Sequence, residues 1–179
     1  MPAWLMRAAV RRMEKRYNYD AAYLHDLLAV SPRALMAFSG VQKLAGYREG
    51  APPDALAAAG LVATMGEDCG PCVQIGIAIA REQGVSPAVL RALLVGDEDG
   101  MGPDAALAWR FARASLARDL EAADPLREAV LARWGPEGLA AIALAMAASR
   151  VYPTVKYAMG HGKTCSRIEV DGESVKVAA

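Results

Sequence analysis

Cysteine is scarce in this chain, histidine scarcer still, and neither sign of charge prevails. Three cysteines among 179 residues are too few for a disulfide scaffold. Lys plus Arg and Asp plus Glu number 20 each, so the overall balance offers nothing to attract nucleic acid. No apolar run approaches the roughly 20 residues of a membrane span. The longest, from Leu139 to Ser149, reads as a buried core helix. The opening Met1-Pro2-Ala3-Trp4-Leu5-Met6-Arg7 has no uninterrupted apolar stretch and soon turns basic, so no signal peptide is expected. A reducing cytoplasm is the expected compartment, with neither nucleic acid nor membrane as partner.

What is abundant is apolar surface. Hydrophobic residues make up 54% of the chain, enough for a full core by burial alone. High apolar content with zero net charge favours self-association, so a homo-oligomer is expected. The first helix carries a basic face of Arg7, Arg11, Arg12, Lys15 and Arg16. Attraction to an anionic surface is one reading of it. A solvated face, with Glu14 among the charges, is the plainer one and the one adopted.

Proline sets the punctuation. It follows a turn or capping residue at Ser31-Pro32, Ser86-Pro87, Gly102-Pro103, Asp124-Pro125 and Gly135-Pro136, and a helix-forming stretch follows each. Proline suits the first helical position because its missing N–H would be unpaired there anyway. Ser or Asp before it can accept from the exposed amides. The pattern predicts helices over 2–16, 20–29, 32–46, 53–65, 70–83, 87–95, 103–122, 125–134 and 136–159. Leu24, Leu27 and Leu28 form one apolar stripe, Leu139, Ile142, Ala143 and Met146 another, and Ile75 and Ile79 share a face with Gln83. Gly84 reads as the C′ residue of its helix. Pro153 is expected to kink or end the last helix, with Tyr152 extended before it.

The C-terminus changes period. From Ile168 to Val177 apolar and polar residues alternate around Asp171-Gly172, which predicts a β-hairpin with a type I′ turn. A lone hairpin is marginal, so it must pack on the helices or on a neighbouring subunit. The Asp97-Glu98-Asp99-Gly100 stretch lacks the closing glutamate of a calcium loop, since the twelfth position from Asp97 is Ala108, and reads as an acidic surface loop. The fold class is therefore all-α, a helical bundle with a short C-terminal β-hairpin. The chain divides into N-terminal helices (1–52), a CxxC helical hairpin (53–86), C-terminal helices (87–165) and a hairpin tail (166–179), all within one domain.

Chemistry concentrates at Cys69-Gly70-Pro71-Cys72. Thiols at i and i+3 can close a small disulfide at a helix start, where unpaired amides and the macrodipole favour thiolate. A thiolate and a resolving partner are the minimum for thiol–disulfide exchange. Thioredoxin shares this tetrapeptide but sets it after a central strand. Here the preceding Asp54–Thr64 stretch favours helix, so that fold is not expected. The helix start favours Cys69 as the more exposed thiol. Glu67 and Asp68 beside the motif would raise a thiol pKa. Glu67 is a candidate for proton transfer, against a plain first-turn carboxylate. His161, between Gly160 and Gly162, is a candidate base able to reach the motif in this or a neighbouring subunit, against an ordinary exposed histidine. His25, beside Asp26, is the other histidine. Arg150 and Lys156 are candidate partners of Glu67, against a solvated last helix.

Leu56-Ala57-Ala58-Ala59 leading to Met65-Gly66-Glu67-Asp68-Cys69-Gly70-Pro71-Cys72 and then Val73-Gln74-Ile75-Gly76 resembles the CxxC branch of the AhpD-like/carboxymuconolactone decarboxylase family, over about Pro53 to Ser86. The resemblance implies an AhpD-like all-α bundle, oligomeric and often trimeric or hexameric. It implies disulfide reductase or alkylhydroperoxidase chemistry, with a hydroperoxide or a partner's disulfide as substrate and no cofactor. It makes Cys72 the nucleophile and Cys69 its partner, so both cysteines stay candidates. Redox members carry a glutamate twelve residues before the first cysteine and a histidine four after the second. Those positions are Ala57 and Gly76 here, so any proton relay must come from elsewhere. That difference motivates the alternative of a non-redox lyase or small-molecule-binding protein on the same scaffold. Two further readings rank below these: a zinc site of Cys69, Cys72, His161 and Cys165, unnecessary in a chain with this much core, and inert buried thiols, against which Pro71 within the motif argues. Trp109, Phe111, Trp134, Met65 and the stretch Val151-Tyr152-Pro153-Thr154-Val155-Lys156-Tyr157 read as core or subunit contacts.

Overall fold

The computed structural model describes residues 2–162 and 168–177. The architecture is all-α with a small antiparallel hairpin at the end. In chain order it runs α1 (Ala3–Tyr17), α2 (Ala22–Val30), α3 (Pro32–Ser39), α4 (Val41–Ala45), α5 (Pro53–Met65), α6 (Gly70–Glu82), α7 (Pro87–Val95), α8 (Glu98–Met101), α9 (Pro103–Ala117), α10 (Leu120–Ala158), β1 (Ile168–Val170) and β2 (Glu173–Val175).

The Ser-Pro signals act as caps. The Ser31 hydroxyl accepts from the Ala34 amide at 3.0 Å, and Ser86 accepts from Val89 at 3.2 Å. Helices α5 and α7 match their predicted ranges. Four expectations differ, one of them the helix start at Asp124-Pro125, because the helix begun at Leu120 runs on through Pro125. The predicted 32–46 helix breaks at Gly40 into α3 and α4. The predicted 103–122 helix stops at Ala117, because Arg118 takes a left-handed conformation (φ 60°), and Asp119 then caps a new helix by accepting from Ala122 at 3.1 Å. The acidic 97–100 stretch is a single helical turn, in which Asp97 accepts from the Gly100 amide at 3.3 Å.

Helix α10 departs from helical geometry only at Gly135 (φ 68°, ψ −176°), as the Gly-Pro signal predicts. Pro153, expected to kink or end it, stays inside the helix, and Tyr152 is helical with it. Pro153 is buried there, so packing outweighs the lost backbone hydrogen bond. Among the described residues α10 is the one helix long and apolar enough, by length and composition, to cross a membrane. Here it packs on α4, α5 and α9 as a wall shared by two apolar clusters.

The larger cluster is rich in small residues. Ala55, Ala58 and Ala59 of α5 meet Ala105, Ala108 and Ala112 of α9, with Leu90, Leu93, Val130 and Ile142 filling the remaining space. Alanine at these positions lets α5, α9 and α10 approach closely. The smaller cluster, from α1–α3, is aromatic: Tyr19, Tyr23, Leu24 and Leu28 pack with Phe38, Ile75 and Val155. Its rings meet edge to face, Tyr23 with Phe38 at 6.0 Å and Phe38 with Tyr152 at 5.3 Å between centroids.

The hairpin forms as predicted. Asp171 (φ 51°) and Gly172 (φ 80°) both lie in the left-handed region a type I′ turn requires, and Ile168 pairs with Val175. It docks on α6 and α7 of the same chain. The Gln74 side-chain amide donates to the Glu169 carbonyl and accepts from its amide, both at 2.9 Å. Arg81 pairs with Asp171 at 3.2 Å and Arg91 with Glu173 at 2.8 Å. Ile168 and Val170 thereby join the larger core.

Candidate active site

Helix α6 carries the two cysteines and is anchored on both sides. Val73, Ile77 and Ala80 are its buried face on the larger cluster, while Ile75 packs on the aromatic one. The Ile75–Ile79–Gln83 stripe is therefore not the most buried face; the helix lies between two cores and divides its apolar residues between them. At its far end Gly84 (φ 91°) is the C′ residue, with the Val85 amide donating to the Ala80 carbonyl at 3.1 Å.

At its near end Cys69 is the N-cap and Cys72 occupies the first turn, with a disulfide joining them across a Cα–Cα distance of 5.2 Å. The amides of Cys72 and Val73 both donate to the Cys69 carbonyl, at 2.9 and 3.0 Å. Pro71 brings no amide of its own, so it enters the first turn without leaving a donor unpaired. Neither sulfur is open: Cys69 is 1% exposed and Cys72 5%. This corrects the expectation that Cys69, at the helix start, is the more exposed thiol. Burial of both residues shows that position in the helix does not decide access.

The turn before Cys69 is tied to α10. Asp68 adopts a left-handed conformation (φ 48°), uncommon for a residue with a side chain. Its carbonyl accepts a hydrogen bond from the Tyr157 hydroxyl at 2.8 Å. Glu67 forms an ion pair with Arg150, two turns earlier on the same helix face. Of the two basic residues considered as partners for Glu67, Arg150 takes the role. Lys156 points the other way into the aromatic cluster, where it is 1% exposed. Its ammonium lies 3.5 Å from the Tyr19 hydroxyl and from the Asp20 carbonyl, and 4.6 Å above the Tyr19 ring. Burial raises the phenol pKa values of Tyr19, Tyr23 and Tyr152 there, so all three stay neutral at physiological pH.

His161 does not lie against the sulfurs. Its Nε2 is 2.6 Å from Asp26 Oδ2 of α2, which ties the end of α10 to the N-terminal helices. His25 is paired in turn with Glu14 at 3.1 Å. The relay positions are apolar packing: Ala57 is buried in α5, and at Gly76 a Cβ would lie 3.2 Å from the Leu61 side chain. Among the described residues no three His, Cys, Asp or Glu side chains converge as a metal site. Cys165, the fourth member of the zinc reading, lies outside the described residues.

The residues that sequence reasoning missed here are Tyr157 and the backbone of Asp68. Tyr157 was legible only as part of an aromatic stretch, and nothing local marks Asp68 as left-handed. A shallow groove of about 290 Å³ runs along the same face of α10, lined by Ala147, Arg150, Val151, Thr154 and Val155. Compared with known proteins, the chain matches no protein-family model, no curated protein and no solved structure.

Proposed function

We propose that this protein is a thiol–disulfide oxidoreductase that works through Cys69 and Cys72, on a scaffold resembling the AhpD-like family. The observation that carries the reading is the pairing of the two sulfurs at the start of α6, where the helix supplies amides to a thiolate. Once the pair is reduced, a Cys69 thiolate at the N-cap sits where a Ser or Asp oxygen would accept from first-turn amides. Attack of one thiolate on a partner's disulfide gives a mixed disulfide and releases one partner thiolate. The second cysteine then attacks the mixed disulfide, closing Cys69–Cys72 and releasing the other. Two electrons pass to the partner, which takes up two protons in all.

Disulfide exchange is the better supported of the two redox substrates. Reducing a hydroperoxide leaves an alkoxide that needs a proton, and the relay positions hold only Ala57 and Gly76. Glu67, two residues before Cys69 and held by Arg150, is the side chain this reading offers for a relay role. The fitting partners are a protein thiol or disulfide in a reducing, cytoplasmic compartment, and further copies of this chain as trimer or hexamer. Exposed Trp4, Val30, Met36 and Leu120 offer apolar surface for such an assembly.

The apolar filling at Ala57 and Gly76 also favours a second reading, a non-redox lyase or small-molecule-binding protein. One assay separates the two. On the redox reading, reduced wild type cleaves a small aromatic disulfide faster than free dithiothreitol at equal thiol concentration, and Cys69→Ser and Cys72→Ser fall to background. Equal rates for all three proteins would overturn it.

A further inference from the structure

We propose that Tyr157 is a positioning residue for the dithiol, a latch whose hydroxyl keeps the Cys69–Cys72 bond closed to attack. The proposal rests on the redox reading and adds what controls access to it. The Asp68 carbonyl that Tyr157 holds belongs to the same peptide unit as the Cys69 amide, so the phenol fixes the plane from which the Cys69 side chain departs. Asp68 is left-handed, so this turn has a ready extended alternative once its carbonyl is released. Both sulfurs are buried, so a thiolate reaches the S–S axis only after a local opening, and the turn that leads directly into Cys69 is the segment assigned to open.

The phenol is held in place from behind. The backbone of Gly162 lies against its ring, and a Cβ at that position would fall 2.2 Å from Cδ1 and 2.3 Å from Cε1. His161, one residue earlier, is bound to Asp26 on α2. The segment following α10 thus wedges the ring toward Asp68, and the N-terminal helices brace the wedge. Tyr157 is itself 42% exposed, so a docking partner can reach it.

The test is the rate at which dithiothreitol reduces the oxidised, folded protein, followed by alkylation and mass. One reagent thiolate attacks a protein sulfur, the S–S bond breaks, and the other cysteine leaves as thiolate and takes a proton. The second reagent thiol resolves the mixed disulfide, so two electrons enter the protein and the reagent departs as its cyclic disulfide. Losing one hydrogen bond to a part-exposed carbonyl makes the open turn about two- to tenfold more populated. Tyr157→Phe is therefore reduced faster than wild type by that factor, with the melting temperature nearly unchanged. Gly162→Ala, which displaces the ring, shifts the rate the same way. Val130→Ala removes core volume from the first half of α10 and is the control: it lowers the melting temperature and leaves the rate alone. A wild-type rate for Tyr157→Phe would overturn the latch. If wild type resists reduction while Tyr157→Phe reacts, the latch stands and the redox cycle falls; if both resist, both fall.

Discussion

Two polar places are built against the last turns of α10, on different faces of it. At one, Lys156 is enclosed with Tyr19 and Tyr23, every ring desolvated and the ammonium facing the Tyr19 hydroxyl and the Asp20 carbonyl. At the other, Arg150 and Tyr157 hold Glu67 and Asp68 in a turn that meets solvent. The same helix supplies both sets of side chains, yet the energetics differ. Buried polar groups are costly to leave unpaired, so the Lys156 cluster locks the N-terminal helices to the body of the protein. A surface ion pair and a single hydrogen bond each contribute about 1 kcal/mol or less, so the turn beside the disulfide is held but can open. On the proposed redox reading, this asymmetry gives the site a rigid platform on one face of α10 and a turn able to open on another.

Variants can break that comparison, and the largest effect is expected at the lysine. Lys156→Ala deletes a fully buried stem and its polar contacts, and should cost about 3 kcal/mol of stability by chemical denaturation. Lys156→Met keeps the stem and should recover much of that loss. If Lys156→Ala instead changes stability little, the platform side is no firmer than the turn. Next comes the alanine-lined contact of α5 with α9. Ala105→Leu forces extra volume between two fully buried helix faces and should cost about 1–3 kcal/mol, a melting-temperature drop of about 2–12 °C. Neither substitution should alter the dithiothreitol rate in folded protein, because neither touches the 66–69 turn.

The smallest effect within the ordinary pH range follows from the tyrosines. Burial raises the pKa of Tyr19, Tyr23 and Tyr152 in the folded protein above the value of about 10 for an unfolded chain. A raised pKa means the folded state retains a proton that the unfolded state loses. Their contribution is therefore complete below about pH 10 and is lost as pH rises beyond it. Stability measured against pH should be flat in this respect through neutrality and fall on the alkaline side. Absorbance at the phenolate band should show these three rings ionising only as the protein unfolds; ionisation of all six tyrosines before unfolding would contradict a dry platform.

Local rules made much of the fold legible. Ser31 and Ser86 announced their helices because capping depends on a few adjacent residues, and Asp171-Gly172 announced its turn because both positions need a left-handed backbone. Pro153 misled because a local penalty was outweighed by burial that only the tertiary structure reveals. Arg118 and Asp68 are left-handed without being glycine, so nothing in their neighbourhood marks the turns they make. At the site, the cysteines and their spacing were plain in the sequence. Their burial was not, because access is set by tertiary packing and not by position in a helix. The pairing of His161 with Asp26 was equally hidden, since it joins side chains that only folding brings together.

The central claim is that Cys69 and Cys72 form a pair that cycles between dithiol and disulfide without unfolding. The direct measurement is a redox titration of the folded protein in glutathione buffers, with thiols counted by alkylation and mass and the fold followed by circular dichroism. The account predicts one reversible two-electron transition confined to Cys69 and Cys72, with helicity unchanged across it. A pair that never oxidises under these buffers, or a disulfide that opens only when helicity is lost, would contradict it.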